Sequence, residues 1–210
     1  MTRVVGVGAG GHARVLMDIA RLAPSLNLVG MLDADSSRWG TMHGDVPILG
    51  GEHLLESLLN EGRVDAAFIG VGGVPRNSHR RAVYNRVLDA GLRVVRLVHP
   101  RAIVARDVAL GEGVMVMAGA ILNPAAVLED GVIVNTGAIV EHDCHIGAFA
   151  HICPGACLGG NVTIGEEAFV GLGARVIQGI NVGARAIVGA GAVVIRDVPA
   201  DTRVVGCPAR

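Results

Sequence analysis

The sequence predicts two joined architectures: an α/β domain over residues 1–96 and a parallel β-helix of hexapeptide coils over residues 97–210. Every sixth residue from Val98 to Val194 is Val, Leu or Ile, with no exception in 17 positions. The residue two before each of these, from Ala102 to Ala192, is always Ala, Val, Ile or Cys. An α-helical stripe recurs near 3.6 residues and drifts off a six-residue period within two turns, whereas a fixed short period marks stacked coils. Ahead of this register, strand-like and helix-like segments alternate with glycine at the strand ends. That pattern belongs to a small doubly wound parallel sheet.

In chain order, residues 3–8 read as a strand that runs into Gly6-Val7-Gly8-Ala9-Gly10-Gly11-His12, followed by a helical pattern from Ala13 to about Leu22. A second strand over residues 28–32 ends at Asp33, a helix is expected near 52–60, and a third strand over 66–71 ends in Gly72-Gly73. A helix over 77–90 closed by Gly91 and a strand over 93–97 complete the domain, and His99-Pro100 hands the chain to the coils. Gly6, Gly8 and Gly11 satisfy G-x-G-x-x-G with Asp33 one strand later, which suggests phosphate on a helix N-terminus and an acid on a ribose. The same glycines also serve any tight strand-to-helix turn. A dinucleotide-dependent oxidoreductase is the weaker reading, because a prism filled by its own side chains offers no second domain to hold a substrate over a nicotinamide.

In each coil the large aliphatic residue and the small residue two before it share the inward face, as strand alternation requires. The residue just after the aliphatic is Gly at 111, 147, 159, 165, 171, 183 and 189 and Asn at 123 and 135. Both tolerate positive φ, so the chain is expected to bend there. Three bends close a triangular coil, and the flat faces of such a stack suit side-by-side association.

Composition bounds the rest. Hydrophobic content is 51% with only 2% aromatic, so the core is aliphatic, and 31 glycines recur in register rather than marking disorder. A net charge of −1 gives no electrostatic case for nucleic acid or an anionic membrane. The chain opens on a strand with no room for a signal segment, and no apolar run approaches the ~20 residues of a membrane span. The four cysteines lack zinc-like pairing. A cytoplasmic protein with reduced thiols is expected.

The densest polar cluster is Glu141-His142-Asp143-Cys144-His145, followed by His151 and Cys153. Metal binding is disfavoured, because Cys144 falls in the inward register and His142 in a corner slot. A corner histidine can be merely solvated, or it can act as a general base with a carboxylate on either side raising its basicity. Covalent transfer through Cys144 is chemically open but is disfavoured by the same inward register. His142 and His151 lie nine residues apart, half of an eighteen-residue coil, so they stand on opposite sides of one prism.

The run from Asn135 through Glu141-His142-Asp143-Cys144-His145 to Gly147, the opening Gly8-Ala9-Gly10-Gly11-His12 and the tail Gly206-Cys207-Pro208-Ala209-Arg210 together resemble one family. It is the bacterial sugar acyltransferases of the NeuD/PglD type, and the resemblance spans essentially the whole chain. It implies a Rossmann-like N-terminal domain that binds a nucleotide-sugar, and a left-handed β-helix that forms a homotrimer with acetyl-CoA between neighbouring prisms. By position, His142 matches the catalytic base, and Asp143 stands where the bacillosamine-pathway enzymes have Glu; Glu141 is the alternative partner. His151 matches a contact to the thioester end, and Leu172, Ala190 and Gly160 fall in the CoA groove. Gly10, Gly11, His12, Asp33, Ala34 and Gly72 match nucleotide-sugar contacts, and Asn135 lies near the sugar position. The implied activity is acetyl-CoA-dependent N-acetylation of the amine, a 4-amine, of a nucleotide-linked deoxyamino sugar, with no metal. Sugar or sialic-acid O-acetylation, a carbonic-anhydrase-like zinc trimer and a non-catalytic scaffold are the alternatives.

Overall fold

The computed structural model describes residues 1–73 and 78–210. Contacts divide the chain into two units, one of Met1–Gly72 with His79–Pro100 and one that includes Arg101–Arg210. The first unit runs to Pro100, with Leu97 buried and packed near the first helix.

The first unit is a twisted sheet of β1 (Thr2–Val7), β2 (Leu26–Leu32), β3 (Met42–His43), β4 (Val46–Gly50), β5 (Ala66–Ile69) and β6 (Arg93–Val94), in the order β3-β4-β2-β1-β5-β6. All pairings are parallel except β3 with β4, a short antiparallel hairpin that the sequence pattern did not announce. Val4, Val5, Val7 and all four residues of β5 are buried, as continuous apolar runs in a two-sided parallel sheet should be. Helix α1 (Gly11–Leu22) buries Ala13, Leu16, Met17 and Ala20, one face at the helical period. The helix expected near 52–60 begins as a 3-10 turn (Glu52–Leu54) and continues as α2 (Leu55–Asn60). Helix α3 is described over Ser78–Asp89; the expected start at Asn77 lies outside the described residues. The chain leaves β1 toward β2 and β4 on one side and later returns to β5 and β6 on the other. The point where direction reverses is therefore between the carboxyl ends of β1 and β5, which are the Gly8–Gly11 turn and Gly70–Gly73.

The second unit is a left-handed parallel β-helix. Two-residue strands form three parallel sheets: one from Ile103–Val104 to Val193–Val194, one from Ala109–Leu110 to Asn181–Val182, one from Met115–Val116 to Arg203–Val204. Partners such as Ile121 and Ile139 are one coil, eighteen residues, apart. The aliphatic register is the core: from Val116 to Val194 every member is buried, with the small residues of the companion register between them. Burying one such side chain contributes about 1.5–3 kcal/mol, which three per coil multiply along the stack. At the first coil, at the end of the stack, Val104 and Leu110 are only partly buried.

The corners correct one expectation. The glycines just after the aliphatic do not take positive φ. The left-handed residue is the one three after it, at every corner from Gly113 to Gly191, and it includes Ala125, Asp143, Phe149, Asn161, Glu167 and Arg185. The earlier glycines serve contact between coils: a Cβ on Gly147 would lie 2.7 Å from the Glu166 amide nitrogen, and one on Gly171 2.7 Å from that of Ala190.

Candidate active site

His142 and Asp143 occupy the corner that follows strand Ile139–Val140, both side chains 60% exposed. Asp143 holds φ 59°, which folds its short carboxylate back on the preceding residue, so that Oδ2 lies 2.7 Å from His142 Nδ1. A carboxylate only accepts, so Nδ1 carries the proton and Nε2 presents a lone pair. The Asp143 bond, with the charges of Asp143 and Glu141 behind it, holds the imidazole pKa above its ordinary 6.5. Asp143, not Glu141, is thus the bonded partner. Gly160, one coil later, lies under the ring: a Cβ there would come within 2.6 Å of His142 Cε1 and Nε2. Its φ is not in the left-handed region, so what Gly160 supplies is room for the imidazole.

His151 belongs to a different edge. It lies in strand His151–Ile152 between Ile133 and Phe169, 5% exposed, its ring edge-on to Phe169 at 5.4 Å. Asn135 Oδ1 accepts the Thr136 N–H at 2.8 Å, which turns its Nδ2 toward His151 Nε2 at 3.1 Å. Nε2 therefore accepts, and the ring proton sits on Nδ1. Leu172 and Ala190 stack one coil apart at the corner after this face, both exposed, with the Leu172 carbonyl accepting the Gly191 N–H at 2.8 Å. The structure thus gathers the residues of the second unit into two groups, His142, Asp143 and Gly160 on one edge and Asn135, His151, Leu172 and Ala190 on another.

The remaining polar residues of the cluster diverge. Cys144 is buried in the prism, where its thiol donates to the Gly159 carbonyl at 3.2 Å and desolvation raises its pKa. Burial pushes the Cys153 thiol up to about 12. His145 faces outward from the second sheet with Glu129 Oε1 at 3.1 Å from its Nε2. Neither buried thiol is placed to act as a nucleophile. Among the described residues no group of three His, Cys, Asp or Glu converges in the manner of a metal site.

In the first unit the glycines separate by role. Gly8, at φ 93°, makes the turn, and Gly6 packs where a Cβ would collide with Met31 and Phe68. Gly10 and Gly11 answer neither need: they are exposed, not left-handed, and a Cβ on either would meet nothing within 4 Å. No side chain caps α1 and its first turn holds no acid, so its amino end is open to an anion that approaches the backbone. His12 is mostly buried against Gly72, whose Cβ would lie 3.1 Å from that of His12. Burial and the Arg80 charge bring its pKa down to about 4, so it is neutral at physiological pH.

Asp33 is committed inside the protein. Oδ2 accepts the Ala9 N–H at 2.8 Å and Arg38 Nη1 at 3.0 Å, while Oδ1 accepts the Asp35 N–H at 3.0 Å. It braces the glycine turn and aims Arg38. The other end of that guanidinium reaches Nδ1 of buried His43 at 3.3 Å, and Arg14 and Arg38 together lower the His43 pKa beyond the effect of burial. Ala34 is exposed beside this corner. Arg14, Arg38 and His43 carry no motif, and only the hairpin of β3 and β4 brings His43 to the glycine turn.

Residues 3–87 match the family model described as PglD N-terminal domain. Over its full length the chain is similar to PerB from Caulobacter crescentus, solved with CoA and GDP-perosamine, at 39% identity, 97% coverage of that chain and a TM-score of 0.90. It is similar over its full length to the acetyltransferase domain of PglB from Neisseria gonorrhoeae, at 36% identity, 99% coverage and a TM-score of 0.90. WeeI from Acinetobacter baumannii matches at 27% identity over 99% of its chain, with a TM-score of 0.78. A comparison with curated protein sequences finds no significant match.

Proposed function

The chain belongs to the PglD/NeuD-type sugar N-acetyltransferases, and from that premise we propose that it transfers acetyl from acetyl-CoA to the 4-amine of a nucleotide-linked deoxyamino sugar, with His142 as general base. The observation that carries the reading is the 2.7 Å bond from His142 Nδ1 to Asp143, which leaves an exposed Nε2 with raised basicity. The open amino end of α1 at Gly10 and Gly11 takes the diphosphate, with Arg38 adding charge. The ligands of the Caulobacter relative, CoA and GDP-perosamine, supply both halves of the reaction.

Transfer is direct. The sugar nitrogen attacks the thioester carbonyl carbon while Nε2 accepts the proton it loses, and Asp143 stabilises the resulting imidazolium. The tetrahedral oxyanion takes a hydrogen bond from a fixed donor, the role proposed for His151. Collapse breaks the carbon–sulfur bond, and the imidazolium returns its proton to the leaving thiolate. Because His142 and His151 occupy different edges of one prism, a site that uses both draws them from adjacent chains of a homotrimer.

The test is thiol release from acetyl-CoA with GDP-, UDP- and dTDP-linked 4-amino sugars and free sialic acid, for wild type and His142→Ala. Turnover of one amino sugar, reduced at least about 100-fold in the variant, is the expected outcome. Turnover of sialic acid alone would transfer the protein to O-acetylation, and an undiminished variant would remove His142 from the mechanism.

A further inference from the structure

Ligands of open parallel sheets lie outside the carboxyl ends of the strands, with phosphate at the helix N-terminus. From Gly10 and Gly11 a nucleotide can extend toward β5 or toward β2 and β4. Toward β5 the mostly buried His12 packs against Gly72. Toward β2 and β4 stands Trp39, the only tryptophan of the chain and 40% exposed. Its indole N–H donates to the carbonyl of Asp33, at the end of β2, at 2.8 Å. Its Cζ2 edge rests over Gly51 just after β4, where a Cβ would come within 2.9 Å of both Trp39 Cζ2 and His53 Nδ1. Gly51 has φ −93°, open to any residue, so glycine there serves only to seat the two rings, which lie 5.3 Å apart at 53°. Arg38, the preceding residue, carries the guanidinium that Asp33 and His43 aim.

A lone exposed hydrophobic residue needs no explanation. One held by a hydrogen bond and a glycine seat, with its ring surface still open, is a prepared platform. We propose that the indole face of Trp39 stacks the nucleobase of the sugar nucleotide, with Arg38 beside it toward the diphosphate. The inference rests on the reading of this unit as the nucleotide-binding one. The chemistry it selects is a planar heterocycle on a ribose diphosphate, whichever base that is.

Because the chain has one tryptophan, its intrinsic emission reports this ring alone. Emission is followed while GDP, UDP, dTDP, ribose 5-phosphate and inorganic pyrophosphate are added, with binding of each measured separately by calorimetry. The nucleotide that binds is expected to quench Trp39 along its calorimetric isotherm, while ribose phosphate and pyrophosphate leave emission unchanged. Trp39→Ala should weaken that nucleotide roughly 5- to 150-fold, equivalent to the about 1–3 kcal/mol of one base–aromatic stack, and Trp39→Phe should recover most of it. Unchanged helical circular dichroism in the alanine variant shows that the first unit, which holds every described α-helix, remains folded. A nucleotide that binds without altering emission, or whose affinity in Trp39→Ala stays within twofold, overturns the stacking platform and leaves the transferase reading intact. Calorimetric silence for every nucleotide overturns both.

Discussion

At His142 an exposed imidazole acquires a defined tautomer from one bond, and the bond exists because the next residue sits in the left-handed region. A longer carboxylate at position 143 would have to fold its extra methylene to meet Nδ1, whereas Asp143 at φ 59° reaches it directly at 2.7 Å. The pairing adds little stability at this exposure; its consequence is basicity. On the proposed mechanism only neutral His142 accepts a proton, and with its pKa raised above 6.5 activity is expected to be lost as pH falls through that elevated value. Asp143→Asn tolerates the same backbone but can turn an amide N–H toward Nδ1, which removes the charge and favours the wrong tautomer. The acid limb of kcat/KM is expected to move to lower pH in this variant, with the plateau down about 10- to 100-fold, part of what a positioned base contributes. The acceptor amine titrates in both proteins, so the displacement between the two profiles reads His142. Coincident acid limbs would show that Asp143 does not set the base. These neighbours were legible because they are adjacent in sequence. The Asn135–His151 bond and the Gly160 seat were not, since each joins residues that only coil stacking brings together.

At the scale of the coil, the six-residue register was legible because the inward slots demand aliphatic and small residues without exception. The turn chemistry was misplaced by two residues for a physical reason: glycine is needed where coils approach most closely, while the left-handed corner accepts Asp, Asn and even Phe. The two kinds of glycine should respond differently to a methyl group. At Gly137, with φ 66° and open space around it, alanine meets backbone strain of about 1–2 kcal/mol. At Gly147 the added carbon presses on the Glu166 amide at 2.7 Å and the Ile164 carbonyl at 3.0 Å, backbone atoms that cannot rotate away. We expect Gly147→Ala to lower the thermal midpoint further than Gly137→Ala, with overpacking of about 1–3 kcal/mol as a lower bound because the collision is with backbone. Equal midpoints would mean that the coils relax apart and that close stacking does not select these glycines. In the sheet of the first unit, periodicity announced β1, β2 and β5. The hairpin of β3 and β4, which delivers His43, was hidden because β3 has only two residues and Pro47 interrupts the short apolar run of β4.

For the assembled molecule, the separation of His142 and His151 on one prism becomes a count. If each site takes His142 from one chain and His151 from the next, chains carrying His142→Ala and His151→Ala are individually inactive but complement when mixed. Co-expression with two different tags and purification through both isolates only mixed assemblies. In a closed ring of three that contains both chain types, travelling round the ring meets the productive order once, whichever type is in the majority. One site in three is therefore intact, and the doubly purified protein should show about one third of wild-type kcat, with KM for acetyl-CoA unchanged. A ring of two would give about one half by the same reasoning, so the recovered fraction also reads the number of subunits. No recovery would mean that each chain completes its own site, and the donor to the oxyanion would then have to come from the His142 edge itself.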